Sequence, residues 1–192
     1  MFIHFWEKFP RVYDWIQILA TGGFLYKVSK ELTFLNGQSV IDVGCGTGTL
    51  LDYLTPKDYL GVDVNPDFIK LAQEKYPTYE FKVLDMIKEK FPKKNFQYIF
   101  IMNVLHHLGD DKILQMFAKI KKRQGFQELV IVESKPKNFL GKILGNFDAG
   151  RNFREYNDLL KIIKEDYKIK KTKIIRAPFG TYEYLLVRCV TK

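Results

Sequence analysis

Short apolar runs bounded by turn residues alternate with amphipathic stretches through the middle of this chain. Residues 39–43, 58–63, 80–83, 97–102 and 128–133 are too short for buried helices and read as strands. Between them, residues 47–54, 66–75 and 110–123 read as helices. Asn65 stands where a capping residue belongs, with Pro66 at the first helical position. The stretch 110–123 carries Ile113, Leu114, Phe117, Ala118 and Ile120 on one face. Strand and helix in this alternation predict an α/β fold, a parallel sheet with helices on both faces.

The ends follow other patterns. Phe2, Phe5, Trp6, Phe9, Val12, Tyr13, Ile16 and Leu19 recur at helical spacing, then Gly22-Gly23 precedes a second helical stretch to about Leu35. Near the C-terminus, a helix over 156–165 precedes two alternating segments, 167–175 and 182–190. The turn Ala-Pro-Phe-Gly-Thr joins them and predicts an antiparallel hairpin. With no repeat, low-complexity tract or linker, residues 1–192 read as a single domain: a helical lid or acceptor segment over 1–36 and a core over 37–192.

Composition sets the class. With 192 residues, 46% of them hydrophobic, the chain can bury a core without staples, and Cys45 and Cys189 are too few for a disulfide framework. Glu7, Lys8, Pro10, Arg11 and Asp14 interrupt the N-terminal apolar residues, so no secretory leader is expected. Apolar runs such as 98–102 are far short of a membrane span. A cytoplasmic protein is expected, with peripheral membrane contact left open. The net charge of +9 is uneven: residues 1–80 hold 7 Lys/Arg against 10 Asp/Glu, and residues 81–192 hold 24 against 12. A basic half suits an anionic partner, but no run reaches the length of a basic tail, which favours solvated helix and strand ends.

The chemistry concentrates where strands end. Gly44, Gly46 and Gly48 lie between the first strand and the next helix, where a glycine turn admits a ligand close to the backbone. That triplet also suits dinucleotide enzymes. Asp42 sharpens it, since a carboxylate beside the loop favours a cationic ligand and is an awkward neighbour for a pyrophosphate. Asp63 ends the second strand, where an acidic side chain accepts from both hydroxyls of a ribose. Asp85 follows the third strand, placed for an adenine amino group. Three strands each end in an aspartate at one edge of the sheet.

These stretches resemble the class I S-adenosylmethionine-dependent methyltransferase family: Val-Ile-Asp-Val-Gly-Cys-Gly-Thr-Gly at 40–48, Tyr-Leu-Gly-Val-Asp at 59–63, Leu-Asp-Met at 84–86 and Ile-Met-Asn-Val-Leu-His-His-Leu at 101–108. The resemblance implies a Rossmann-like seven-stranded, mostly parallel sheet with the antiparallel C-terminal hairpin, and S-adenosyl-L-methionine as cofactor. It implies that Asp63 binds the ribose, Asp85 the adenine, and the turn from Gly44 to Gly48 the methionine end, with Asp42, Cys45, Val64 and Met86 as further cofactor-binding candidates. Asn103 and Val104 would line the methyl-transfer pocket. Nucleic-acid amino methyltransferases carry an Asn/Asp-Pro-Pro-aromatic motif after the fourth strand; the stretch at 103–108 has no proline and is similar to small-molecule, lipid and quinone enzymes instead.

His106 and His107, and Tyr13 on the N-terminal stripe, are the catalytic candidates, with Tyr26 a further acceptor contact. The plainer reading of the histidines is that one packs under the sheet while the other caps the helix starting at Asp110. Cys45 reads as a packing residue. The N-terminal stripe and the glycine-hinged segment 138–147 are each a packing element, an acceptor wall or a lipid contact. Arg151 and Arg154 would hold an anionic acceptor group, or pair with Asp148 or Glu155. The acceptor expected is small and apolar: a quinone precursor, lipid or aromatic natural product. An RNA-modifying methyltransferase and a nicotinamide-dependent oxidoreductase are the alternatives; no metal is called for.

Overall fold

The computed structural model describes residues 24–123, 125–139, 141, 152–177 and 181–192. The aromatic stripe over 2–19 with Tyr13, the Gly22-Gly23 pair, Arg151 with Asp148, and most of the segment 138–147 lie outside these residues.

Seven strands form one sheet: β1 (Ser39–Val43), β2 (Asp58–Asp63), β3 (Glu80–Val83), β4 (Tyr98–Met102), β5 (Glu128–Pro136), β6 (Tyr167–Arg176) and β7 (Tyr182–Thr191). Their order is β3-β2-β1-β4-β5-β7-β6, with β1 to β5 parallel and β7 antiparallel to both its neighbours. Helices α1 (Phe24–Glu31), α2 (Pro66–Lys75), α3 (Asp110–Lys121) and α4 (Tyr156–Asp166) pack on it. The α/β sheet with its antiparallel C-terminal hairpin matches expectation.

Parallel strands covered on both faces take near-continuous apolar sequence, and Val40 to Val43 of β1 are all buried. Ile41, Val43, Val62, Ile101 and Ile131 face one core, closed by Ile113, Phe117 and Ile120 of α3 and Leu159 and Ile163 of α4. Val40, Tyr59, Phe100, Val130 and Val132 face the other, closed by Val28 of α1 and Ile69 and Ala72 of α2. Asn65 caps α2 through its side chain, accepting from Asp67 N at 2.9 Å, a contact worth about 1 kcal/mol. No helix among the described residues is long and apolar enough to cross a membrane.

Four expected elements differ. Residues 47–54 form one 3-10 turn, Thr49–Asp52, instead of a helix. Gly48 enters it in the left-handed region at φ 77°, and the Asp52 carboxylate is held by Tyr76 Oη at 2.6 Å and Lys75 Nζ at 2.9 Å. Helix α3 stops at Lys121, and Ala118 is exposed, so Met116 takes its place in the buried stripe. Strand β5 runs on to Pro136 because β7 pairs with it that far, Tyr182 opposite Pro136. The helical stretch expected up to Leu35 is α1 followed by a separate 3-10 turn, Thr33–Leu35.

Candidate functional site

Strand order reverses between β1 and β4, and the carboxyl ends of such strands flank the crevice where open α/β sheets bind ligands. The glycine turn opens there. Gly44 N and Cys45 N both donate to Val62 O, at 2.7 and 3.1 Å, which pins the turn to β2. Gly44, Gly46 and Gly48 all have φ between 55° and 77°, a conformation that side chains with a Cβ rarely adopt. At Gly44 a Cβ would lie 2.3 Å from Val104 Cγ2, so the loop after β4 closes directly on the turn. At Gly46 a Cβ would meet nothing within 4 Å, which leaves an open cradle of exposed backbone.

Asp63 lines that cradle. Its Oδ2 accepts from Gly46 N and its Oδ1 from Asn65 N, both at 2.9 Å. Each carboxylate oxygen keeps a second lone pair, which fits the two hydroxyls of a ribose. Burial pushes Asp63 above the usual carboxylate range, opposed by the amides of Asn65, Gly46 and Val64 and by His107. Next to it Val64 is 63% exposed, a large apolar side chain offered to solvent at the crevice. Asp85 spends Oδ1 on Ile87 N and Lys88 N, at 2.9 and 3.1 Å, and its Oδ2 lies 3.1 Å from the exposed Lys88 Nζ. Met86 is buried in the core facing α3.

Asp42 lies beneath the turn, on the face of β1 shared with Val40. Only 3% exposed, it accepts from Tyr59 Oη at 2.7 Å. Burial, offset by that hydrogen bond and reinforced by Asp63, pushes its pKa up to about 7. Cys45 is buried beside it, and burial raises its thiol well above the ordinary value. Such a thiol is no nucleophile, in keeping with a packing role.

On the far side of the crevice, Asn103 takes φ 55° and donates from its backbone to Val132 O at 2.9 Å. Among the described residues, its Oδ1 is buried without a hydrogen-bond partner. A strained residue with a buried, unpaired amide oxygen, next to the Val104 side chain that closes on the glycine turn, is a ligand-binding signature. His106 is 1% exposed, with Nδ1 2.9 Å from Glu133 Oε2 and its ring stacked on Phe153 at 4.9 Å. Glu133 Oε1 accepts from Leu105 N at 2.8 Å, so one buried carboxylate orients both loop backbone and imidazole. His107 is exposed, 4.2 Å from the His106 ring, and its charge draws Asp63 downward in pKa. Neither histidine caps α3, whose cap is Gly109 with no side-chain bond.

Arg154 has a different task from the one expected. Its guanidinium donates to Leu105 O at 2.8 Å, Leu108 O at 2.6 Å and Asp110 Oδ1 at 2.7 Å, tying residues 152–155 onto the loop after β4. Among the described residues its ion-pair partner is therefore Asp110 rather than Glu155. Tyr26 is 56% exposed under Lys30 Nζ at 4.3 Å, on a helix packed against β6, the edge strand farthest from β2. Thus the structure gathers Asp42, the glycines, Cys45, Asp63, Val64, Asn103 and Val104 around one crevice and leaves Tyr26 outside it. Glu133, Tyr59 and Phe153 were missed. Glu133 carried a usable signal, an acidic residue ending a buried run as the three aspartates do.

Residues 40–124 match a family model described as a methyltransferase domain. Protein 235L of Invertebrate iridescent virus 6, named as a methyltransferase, is 37% identical over 82 residues, covering 41% of this chain and 29% of that protein. A ubiquinone biosynthesis O-methyltransferase of Rhodopseudomonas palustris is 26% identical over 123 residues, covering 61% of this chain and 48% of its own. The matched regions span less than half the length of these relatives. A TehB-like S-adenosylmethionine-dependent methyltransferase of Corynebacterium glutamicum shares the fold, with a TM-score of 0.66 at 19% identity over 95% of this chain and 96% of that one. Residues 40–124 thus carry the match to a methyltransferase domain, and the sheet around them has the fold of S-adenosylmethionine-dependent methyltransferases.

Proposed function

We propose that this protein transfers a methyl group from S-adenosyl-L-methionine to a small, apolar acceptor of the quinone-precursor, lipid or aromatic class. The observation that carries the reading is the open cradle at Gly46, whose amide is tied to Asp63 across the crevice. Asp63 holds the ribose hydroxyls, Val64 and Asp85 with the Met86 backbone hold the adenine, and the turn from Gly44 to Gly48 holds the methionine end. Asn103 Oδ1, the orphaned acceptor, takes a hydrogen bond from an ammonium or hydroxyl brought into the crevice. When bound, the cofactor supplies an electrophilic methyl group on a sulfonium.

The chain's own residues then position, desolvate and deprotonate. Glu133 fixes the His106 ring through Nδ1, which makes Nε2 the basic nitrogen that would take a proton from an acceptor hydroxyl. That arrangement favours an oxygen acceptor, and the likeness to an O-methyltransferase of ubiquinone biosynthesis supports the same class. Tyr13 and the aromatic stripe over 2–19 are assigned to the acceptor lid of a single cytoplasmic domain, whereas residues 24–35 of the expected lid segment pack on the sheet away from the crevice. Absence of the proline motif after β4 weighs against RNA as acceptor.

Thermal-shift titration tests the reading. S-adenosylhomocysteine stabilises the protein and NAD does not; the reverse result identifies the glycine turn as a dinucleotide site and ends the proposal.

A further inference from the structure

We propose that Asp42, held by Tyr59, senses the charge of whatever occupies the glycine turn: ionised beneath a cationic methyl donor, protonated beneath the neutral demethylated product. The inference rests on the cofactor reading above and adds to it a charge-matched distinction between donor and product.

The geometry is that of a carboxylate enclosed by the loop it serves. Asp42 is two residues before Gly44 and 3% exposed, and its register partner on β2 is Gly61. A Cβ on Gly61 would fall 2.8 Å from Cys45 Sγ and 2.6 Å from Phe81, so loop and aromatic wall close over the carboxylate from that side. On its other flank, β4 presents Phe100, which is fully buried. Among the described residues no cation forms an ion pair with it, and its carboxylate accepts from Tyr59 Oη at 2.7 Å.

Among the described residues the titratable groups around it are few. Tyr59 on β2 stabilises the ionised form by its hydrogen bond, and Asp63 at the end of β2 opposes ionisation by like charge. Cys45 of the turn is neutral, its thiol pushed up by burial and by both aspartates. Tyr76, beyond α2, is turned toward Asp52 through its hydroxyl at 2.6 Å, and Asp52 is balanced by Lys75. His107 acts on Asp63 from the loop after β4. With burial pushing Asp42 up to about 7, its charge state answers to one additional charge nearby.

Methyl transfer changes the occupant of the turn by one charge. The carbon–sulfur bond breaks with its electron pair left on sulfur, so a sulfonium becomes a neutral thioether. Asp42 then takes one proton from solvent, and it releases that proton when fresh donor binds. Ionised Asp42 favours the cation and does little for the product, so raising the pH through its titration strengthens donor binding relative to product. Linkage makes the effect reciprocal: donor binding expels a proton that product binding does not.

Calorimetric titrations of S-adenosylmethionine and S-adenosylhomocysteine, from pH 5.5 to 8 in buffers of differing ionisation enthalpy, test this directly. The ratio of product Kd to donor Kd is expected to rise on the order of tenfold across that range beyond any rise seen in Asp42→Asn, which keeps an acceptor for Tyr59. Groups on the ligands titrate against both proteins, so the difference between the two profiles belongs to Asp42. Tyr59→Phe, which removes the bond that favours ionisation, moves the midpoint to higher pH. His107→Gln leaves the slope in place. A ratio that tracks the Asp42→Asn profile within about twofold, or a slope lost in His107→Gln, overturns the proposal. Failure of either ligand to bind the unaltered protein contradicts the cofactor reading itself, a distinct outcome.

Discussion

The two walls of the crevice are built differently. The wall at β1, β2 and β3 is made from neighbours in sequence: Gly46 reaches Asp63 seventeen residues away, and Asn65 N bonds Asp63 within the same turn. The wall at β4 and β5 is assembled from afar, with Glu133 holding His106 across 27 residues and Arg154 holding Leu105 across 49. One wall therefore keeps its geometry through a compact motif, and the other depends on charged side chains that separate segments must deliver. On the proposed function, the first wall takes the nucleoside of the cofactor and the second takes the acceptor.

This contrast predicts that variants on the two walls fail in different measurements. The largest effect is expected at Asp42. Its folded-state pKa is raised to about 7 from 3.8, so the carboxylate destabilises the ligand-free fold as pH rises through that interval. Asp42→Asn removes the penalty: its melting stability exceeds that of the unaltered protein by on the order of 4 kcal/mol at pH 8 and by almost nothing at pH 4. A pH-independent difference would show that Asp42 is ionised throughout.

Gly44→Ala is the next largest, because the methyl group meets Val104 at 2.3 Å in a backbone conformation alanine resists. A loss of about 3 kcal/mol is expected in chemical denaturation. Gly46→Ala has open space and loses only about 1 kcal/mol, yet the cradle is filled and affinity for S-adenosylhomocysteine falls at least about tenfold. Equal damage to stability in both variants would dissolve the distinction between a packed glycine and an open one.

On the other wall, Glu133→Ala strands Leu105 N–H and His106 Nδ1 in a buried site and costs about 2–3 kcal/mol. Glu133→Gln keeps one acceptor, folds, and binds S-adenosylhomocysteine within about twofold of normal while kcat falls on the order of a hundredfold. Arg154→Ala is the mildest, costing about 1–2 kcal/mol and leaving cofactor affinity unchanged. Loss of cofactor binding in either variant would show the two walls to be one unit.

The same contrast explains what could be read from the sequence. Every strand boundary on the cofactor wall was legible, because continuous apolar runs such as Val40–Val43 between turn residues leave little choice of structure. Asp63 and the glycines were legible because the chemistry there is local in sequence. The expected helix after the turn was misjudged: Leu50 and Leu54 look helical in spacing, yet three left-handed glycines and the tether on Asp52 leave room for one 3-10 turn. Glu133 and Arg154 were illegible as a pair with their partners. Their roles depend on β5 lying beside β4 and on residues 152–155 folding back over the loop, and no local pattern encodes either.

The central claim is that Asp63 and the Gly46 cradle bind the nucleoside of S-adenosylmethionine. Titration calorimetry of S-adenosylhomocysteine against the unaltered protein and Asp63→Ala tests it most directly, with circular dichroism confirming both folds. One-to-one binding to the unaltered protein is predicted, weakened about a hundredfold in Asp63→Ala by the loss of two charge-assisted hydrogen bonds. Equal affinity in the two proteins would contradict the account.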